Sequence, residues 1–224
     1  MLTAVMKKIT FWKISFFSIF IFCFLSTNSS IVVAEGASKH VEMSKKILND
    51  TLKILENNAN TEQKKRQIIV NKYIENVNFE WNARAALGRP FLQLSQQEQR
   101  EYVKEYTKFL IYSWLPKMSY DKKSGIVFSV ADKSEKINDT DANIYLLITT
   151  KDGNRYEVVL RTRITKEDKF EILNLYFEGI DLASSYRAQF TGHMEQNRND
   201  PRSVIQYLKE QNKEKKKMVD FNIA

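Results

Sequence analysis

The sequence predicts an α+β fold, in which a helical N-terminal half packs on a curved, mainly antiparallel four-stranded sheet and helices return at the C-terminus. Three observations favour this fold. Apolar residues recur at helical spacing from residue 41 to residue 114. Strand-like segments then follow one another from residue 126 to residue 177 with no helical segment between them, which favours an antiparallel meander. Helical spacing returns from residue 182 onwards.

The first 34 residues are typical of an export signal. Lys7, Lys8 and Lys13 precede an apolar run from residue 14 to residue 25, and a segment with small residues ends at Ala34. A run of about a dozen residues is too short to span ~30 Å of hydrocarbon; a retained membrane anchor is the alternative. We therefore expect a signal peptide cleaved near Ala34 and a single domain over residues 35–224.

The charge of the chain is moderately positive. The net charge is +8, and the predicted signal holds three lysines and no acidic residue, so +8 − 3 leaves +5. This charge suits contact with anionic membrane surfaces, and it is too dispersed to indicate nucleic acid as a partner. The single cysteine, Cys23, lies in the predicted signal, so the remaining domain has no cysteine to form a disulfide.

Three helices are predicted before residue 88. Residues 41–55 and residues 61–77 each carry an apolar stripe. The third helix covers residues 79–87 and stops at Gly88, which is suited to a left-handed cap. Pro90 then prevents continuation of the helix.

A fourth helix begins at a capping box of Ser95 and Glu98, in which each side chain can bond a free backbone N–H group. It is expected to end near Pro116. Its apolar stripe is wide and largely aromatic, with Tyr102, Tyr106, Phe109, Leu110 and Trp114.

Four strands are predicted next. They cover residues 126–130, 143–150, 155–164 and 170–177, and Asp152-Gly153 favours a hairpin between the second and the third. Two helices follow, over residues 182–191 and from Asp200-Pro201 to about Gln211. The cationic residues 213–224 are expected to fray.

Few residues are suited to catalysis. His40 lies near the start of the domain, where disorder is common, and His193 lies in a polar turn. No pair of histidines has metal-ligand spacing, and no glycine-rich phosphate loop is present. Acidic residues between 132 and 141 are expected in a solvated loop. Glu178 and Asp181 could border a pocket or start the next helix. The sequence therefore predicts neither a catalytic nor a metal site, and a protein that is not an enzyme.

The second and fourth strands carry bulky apolar residues on both faces. A sheet with helices on one side should alternate apolar and polar residues. Either both faces of this sheet are covered by protein, or one face lines something apolar that is not protein. The residues alone favour neither alternative.

Residues 170–190 resemble the signature of the MlaC family, also called toluene-tolerance auxiliary proteins of the Mla lipid-transport system. The matching positions are Phe170, Ile172, Glu178-Gly179, Tyr186-Arg187 and Phe190. A second similarity covers Leu87-Gly88-Arg89-Pro90-Phe91 and continues at Gln99-Arg100. The chain departs from the family at Phe170, where Trp is usual, and at Asn78 and Asn174, where Asp is frequent.

The resemblance implies a periplasmic protein that holds a phospholipid, with its tails between a twisted sheet and a helical layer. The phospholipid is the carried ligand, and no cofactor is implied. The implied partners are an outer-membrane lipoprotein–porin complex and an inner-membrane ABC transporter with its substrate-binding ring.

A carrier of this kind needs an apolar wall. We expect the sheet to supply Leu146, Ile148, Val158, Leu160, Leu175 and Phe177, and the long helix to supply Tyr106, Phe109 and Leu110 on the opposite side. Arg187 either assists the lipid phosphate or pairs with Asp181.

Two other functions stay open at this point. One is a small α+β hydrolase or isomerase, which would use a buried carboxylate with a raised pKa. The other is a periplasmic chaperone for acylated proteins, which would need a similar apolar cavity.

Overall fold

The structure is a computed structural model that describes residues 37–114 and 126–217. The N-terminal half is helical, with α1 (Ala37–Glu56), α2 (Glu62–Asn76), α3 (Phe79–Leu87), a short 3-10 helix (Arg89–Gln93) and α4 (Gln96–Trp114). The sheet follows, with β1 (Val127–Lys136), β2 (Asp141–Thr149), β3 (Arg155–Ile164), β4 (Phe170–Phe177) and β5 (Ile180–Asp181). The chain continues with α5 (Leu182–Glu195) and α6 (Arg202–Lys216). The α+β prediction is confirmed. The predicted signal peptide lies outside the described residues.

The sheet is an antiparallel meander in the order β1-β2-β3-β4-β5. It has one strand more than expected, because the two residues of β5 pair with the end of β4 across the Glu178-Gly179 turn. The other half of the β4 edge is covered as well. Val77 forms a parallel bridge with Ile172, and the N–H of Asn78 donates to the carbonyl of Ile172 at 2.9 Å.

The helices form a layer with its own aromatic core. α4 packs on α6, and α3 packs on α5. Tyr102, Tyr106 and Phe190 are fully buried in this core, with ring centroids 5.9–6.4 Å apart. Such tilted and edge-to-face arrangements stabilise aromatic pairs beyond simple burial. The end of α4 joins a second cluster, in which Ile111 and Tyr112 pack with α1 and α2.

The capping box is confirmed, since the N–H of Ser95 donates to Glu98 and the N–H of Glu98 donates to the Ser95 hydroxyl. α5 extends to Glu195, so the expected polar turn around His193 is wrong, and this residue lies in the last turn of a helix. α6 continues to Lys216 instead of ending near Gln211. It begins at Arg202, two residues beyond the predicted cap Asp200, which still accepts from the N–H of Arg202.

β1 is longer than predicted and runs through charged residues to Lys136. The expected solvated loop is therefore short, and Asp141 is 1% exposed at the start of β2. In the two described stretches of the chain, none of the helices combines the length and apolar content needed to cross a membrane.

Candidate functional site: an apolar face of the sheet

One face of the sheet carries a continuous set of bulky apolar side chains. Residues directly opposite each other in an antiparallel pair point to the same side of a sheet. Val130, Leu146, Val158 and Phe177 are paired in this way across four strands. The rows on either side extend the set, which we call the apolar face: Phe128, Val130, Leu146, Ile148, Tyr156, Val158, Leu160, Leu175 and Phe177.

The side chains of the apolar face are only partly covered by the rest of the protein. Val158 is buried, and the other eight side chains are half-buried. Further along the same face α1 packs on the sheet, and the residues there are fully covered. We call this region the covered end: Ala142, Ile144, Thr162 and Phe170. All six wall residues expected on the sheet therefore share one face.

The opposite face of the sheet carries a charged cluster at the start of β2. Arg163 donates to both carboxylate oxygens of Asp141, at 2.7 and 3.0 Å, and Arg161 donates to one of them at 3.3 Å. Burial opposes ionisation of Asp141, but the hydrogen bonds from Arg163, Thr140 and Arg161 outweigh it and lower the pKa to about 2. The charged cluster stabilises the sheet from the side away from the apolar face.

The three wall residues expected on α4 lie in the core of the helical layer. The Tyr106 hydroxyl donates to Oδ1 of Asn82 at 2.6 Å, and burial raises its pKa well above the ordinary value. The ring of Phe109 lies 5.4 Å from that of Tyr186, and Leu110 belongs to the same cluster. Tyr106 and Phe109 thus contact side chains of α3, α5 and α6.

Arg187 lies on α5 and is exposed. Its Nε donates to the carbonyl of Ala85 at 2.9 Å, and Nη2 donates to the same oxygen, which belongs to the last turn of α3. Asp181 instead caps α5, with bonds from Asn174 at 2.8 Å and from the N–H of Ser184 at 3.1 Å. Of the two alternatives for Arg187, the pair with Asp181 is therefore not formed. A contact between Arg187 and a phosphate stays a prediction.

The sequence of the chain matches a known family. The family described as MlaC protein matches residues 45–210. The chain belongs to the MlaC family.

A solved structure agrees with this assignment. It is that of a phospholipid-binding protein from Ralstonia solanacearum in complex with a phospholipid. The TM-score is 0.66 at 16% sequence identity, and the alignment covers 80% of this chain and 98% of that one. At this identity the likeness shows that this MlaC protein shares the fold. A comparison with curated proteins gives no match.

Sequence reasoning missed three residues of the apolar face in this MlaC protein: Phe128, Val130 and Tyr156. Alternation along β3 could have found one of them, because Tyr156 lies two residues before the predicted wall residue Val158 and must share its face. The structure pairs Tyr156 with Ile148. The rings of Tyr156 and Phe177 stack with centroids 6.4 Å apart.

The shifted carboxyl groups of the described residues are all more acidic than usual. Each carboxyl group with a shifted pKa in residues 37–114 and 126–217 is shifted downwards. No cluster that could hold a metal ion occurs among these residues. A cleft of about 380 Å³ between α3 and α4 is lined by Glu80, Phe91, Gln96, Gln99, Arg100 and Val103, and no residue of the apolar face borders it.

Proposed function

We propose that this MlaC protein binds a phospholipid with its acyl chains against the apolar face. The observation that carries this proposal is the face itself, nine bulky side chains of which eight are only half-buried. Apolar side chains in a continuous, incompletely covered tract commonly mark a ligand or partner site. The family assignment supports phospholipid as the ligand.

The energetics of carriage require such a tract. A phospholipid that leaves a bilayer exposes about thirty methylenes, at ~0.8 kcal/mol each, or roughly 24 kcal/mol in total. An apolar wall offsets this barrier without a nucleophile, a metal or a nucleotide. The charged headgroup avoids the penalty of burial if it stays in water at the edge of the face. In this proposal Arg187 assists a phosphate only from the outside, since it is exposed and already bonded to Ala85.

The sheet forms the wall for the tails in this proposal. An opposite wall built from Tyr106, Phe109 and Leu110 would require these side chains to leave a well-packed core. Leaving it would also strip Asn82 of the bond from Tyr106. We therefore assign the tails to the sheet side and the α4 residues to the stability of the helical layer.

The setting of this function is the periplasm, reached by cleavage of the signal peptide near Ala34. There the protein would carry phospholipid between an outer-membrane lipoprotein–porin complex and an inner-membrane ABC transporter with its substrate-binding ring. Membership of the MlaC family and the apolar run in residues 14–25 support this setting.

Two neighbouring leucines provide a matched test. Leu146 lies on the apolar face, and Leu147 points to the opposite face, where it pairs with Glu157. We expect Leu146→Lys to lose bound phospholipid, because an ammonium group would have to be desolvated against the acyl chains. We expect Leu147→Lys to retain it. Native mass spectrometry of protein purified from a cell envelope measures the lipid directly.

Both variants should keep a cooperative thermal transition, which shows that they are folded. Equal phospholipid content in the two variants would overturn the assignment of the face. Absence of diacyl phospholipid from the wild-type protein, before and after incubation with vesicles, would overturn the proposed function. A covalently acylated polypeptide in place of free lipid would indicate a chaperone.

A further inference from the structure

The contact between the start of α1 and the sheet is unusually polar for a helix that covers an apolar surface. We use the term α1 start for residues 37–45. His40 is 5% exposed and Ser44 is 4% exposed on the side that faces the sheet. Across from them lie the buried Ser134 and Thr162. Val41 is the one buried apolar side chain of the α1 start among the described side chains.

The hydrogen bonds of His40 fix the tautomer of its neutral ring. The Thr162 hydroxyl donates to the carbonyl of Ala142 at 3.0 Å, so its single hydrogen is used. Nδ1 of His40, at 2.8 Å from that hydroxyl oxygen, must therefore be the donor. The neutral ring carries its hydrogen on Nδ1, and the described residues give Nε2 no hydrogen-bond partner. The ring also packs edge-on against Phe170.

The remaining polar contacts of the α1 start contribute little, and its apolar contact is made by Val41 against Ala142 and Ile144. The hydroxyls of Ser44 and Ser134 are buried and have no hydrogen-bond partner in the described part of the chain, which is unfavourable for the closed arrangement. The ion pairs at the two edges, Lys39 with Asp168 and Lys45 with Asp132, are exposed, and exposed pairs contribute little.

We propose that the α1 start is an acid-released cover over the covered end of the apolar face. Protonation of His40 would place a charge in this buried contact, and the helix would leave the sheet. The apolar tract along β2 would then extend from Ile148 past Leu146 and Ile144 to Ala142. This lengthens it from about 7 Å to about 20 Å. Acyl chains could occupy the added length, a consequence that rests on the proposed function.

The charges around His40 agree with release by acid. The carboxylate of Asp141 on β2 favours the charged ring, but it is itself bonded to Arg161 and Arg163. The neighbouring side chains of β3 and β4, Thr162 and Phe170, are uncharged. Asp168, beyond the end of β3, is paired with Lys39. Burial lowers the pKa of His40 below its usual 6.5, and Asp141 only partly opposes this.

The sign of the pH effect follows from this direction. The pKa of His40 is lower in the closed state than in the released state, so the neutral ring favours the closed state. This contribution is complete above the pKa of the released ring, about 6.5. The stabilisation is lost as the pH falls through the lowered value.

The part of α1 that contains His40 lies before residue 45, where the family match begins.

Hydrogen exchange tests the cover directly. The full chain, purified and freed of lipid, is compared at about pH 7.5 and about pH 5, with rates corrected for the intrinsic effect of pH. We expect the amides of residues 40–47 to exchange at least about tenfold faster at the lower pH, with α4 and α6 unchanged. His40→Asn keeps a donor near the position of Nδ1 and cannot be protonated, so its α1 start should stay protected at both values.

The only other histidine of the chain provides the control. His193→Asn should behave like the wild type. Equal protection of residues 40–47 in the wild type at both pH values would overturn the proposal, and so would acid release in His40→Asn. If that variant does not fold, the ring resonances of wild-type His40 supply the test, because their titration midpoint must coincide with that of the exchange. All these readouts are independent of lipid, whereas the leucine variants test lipid binding.

Discussion

At the scale of single residues, the two segments that carry the family resemblance meet in space. Gly88 ends α3 with a φ of +70°, and Arg187 lies directly against it. A Cβ at position 88 would lie 3.4 Å from Nε of Arg187. The same guanidinium bonds the carbonyl of Ala85, which has no partner within its own helix turn. The positive φ therefore favours glycine at position 88, whereas an added Cβ would only be in ordinary van der Waals contact with the arginine.

Gly88→Ala should lower the free energy of unfolding by about 2 kcal/mol, because an L side chain is strained at a positive φ. Gly192→Ala is the control. Gly192 lies inside α5 with nothing near its Cβ position, so alanine there should raise stability by about 0.5 kcal/mol. Urea unfolding measures both values. A Gly88→Ala variant as stable as the wild type would show that the turn relaxes without strain.

At the scale of elements, a buried chain of polar groups connects the helical layer to the sheet. Tyr106 on α4 donates to Asn82 on α3, and Asn82 donates to the carbonyl of Leu173 at 3.0 Å. Asn82 also donates to Asn174 on β4 at 3.3 Å, and Asn174 donates to Asp181, the cap of α5. Four elements are thereby held in one register, on the side of the sheet away from α1.

Tyr106→Phe should cost about 1–2 kcal/mol of stability, because the buried Oδ1 of Asn82 loses its short bond. The phospholipid content of the variant should not change. Tyr145→Phe removes a hydroxyl that bonds Glu135 in an exposed position and should cost less than about 0.5 kcal/mol. Thermal unfolding combined with native mass spectrometry distinguishes the two roles of Tyr106: loss of lipid at unchanged stability would place it in the wall.

The bounds of the helices and strands also show how much of the fold the sequence predicts. The bounds of α3, β3 and β4 agree with the prediction, because Gly88, the Asp152-Gly153 pair and the polar turn at residue 167 mark their ends. The second half of β1 was missed, since its charged residues lie on an edge strand, where alternation is weak. β5 is too short to give any periodic signal.

The candidate site was predictable in part. Alternation along a strand requires even-numbered wall residues of β2 and β3 to share a face within each strand. Which face is covered cannot be read from periodicity, because it depends on packing of distant helices. The same limit applies to α4, where Tyr106 and Phe109 have the pattern of any buried aromatic stripe, so their place in a wall stays a prediction. His40 was expected to be disordered, yet α1 begins at Ala37 and buries it.

At the scale of the whole molecule, the ligand should contribute to stability. A ligand that binds only the folded state, at a hundred times its Kd, adds about 2.7 kcal/mol. For a domain of this size, 1 kcal/mol corresponds to about 2–4 °C in Tm. Lipid-loaded protein should therefore melt about 5–10 °C above delipidated protein. Calorimetry before and after incubation with phospholipid vesicles measures the shift.

Leu147→Lys should show the same increase in Tm, and Leu146→Lys should show none. An equal increase in both variants would mean that lipid stabilises the protein from another surface.

The meander also has a consequence for how the chain folds. Every strand pairs with its neighbour in the sequence, so the loops closed in forming β1–β4 are short and the entropy lost in closing them is small. The hairpins should consequently form early, before the more distant pairing of Val77 with Ile172 joins the N-terminal helices to the sheet. A newly made chain would then display the apolar face before its covering helices have docked. Early capture of a lipid at this stage would protect the folding intermediate from aggregation.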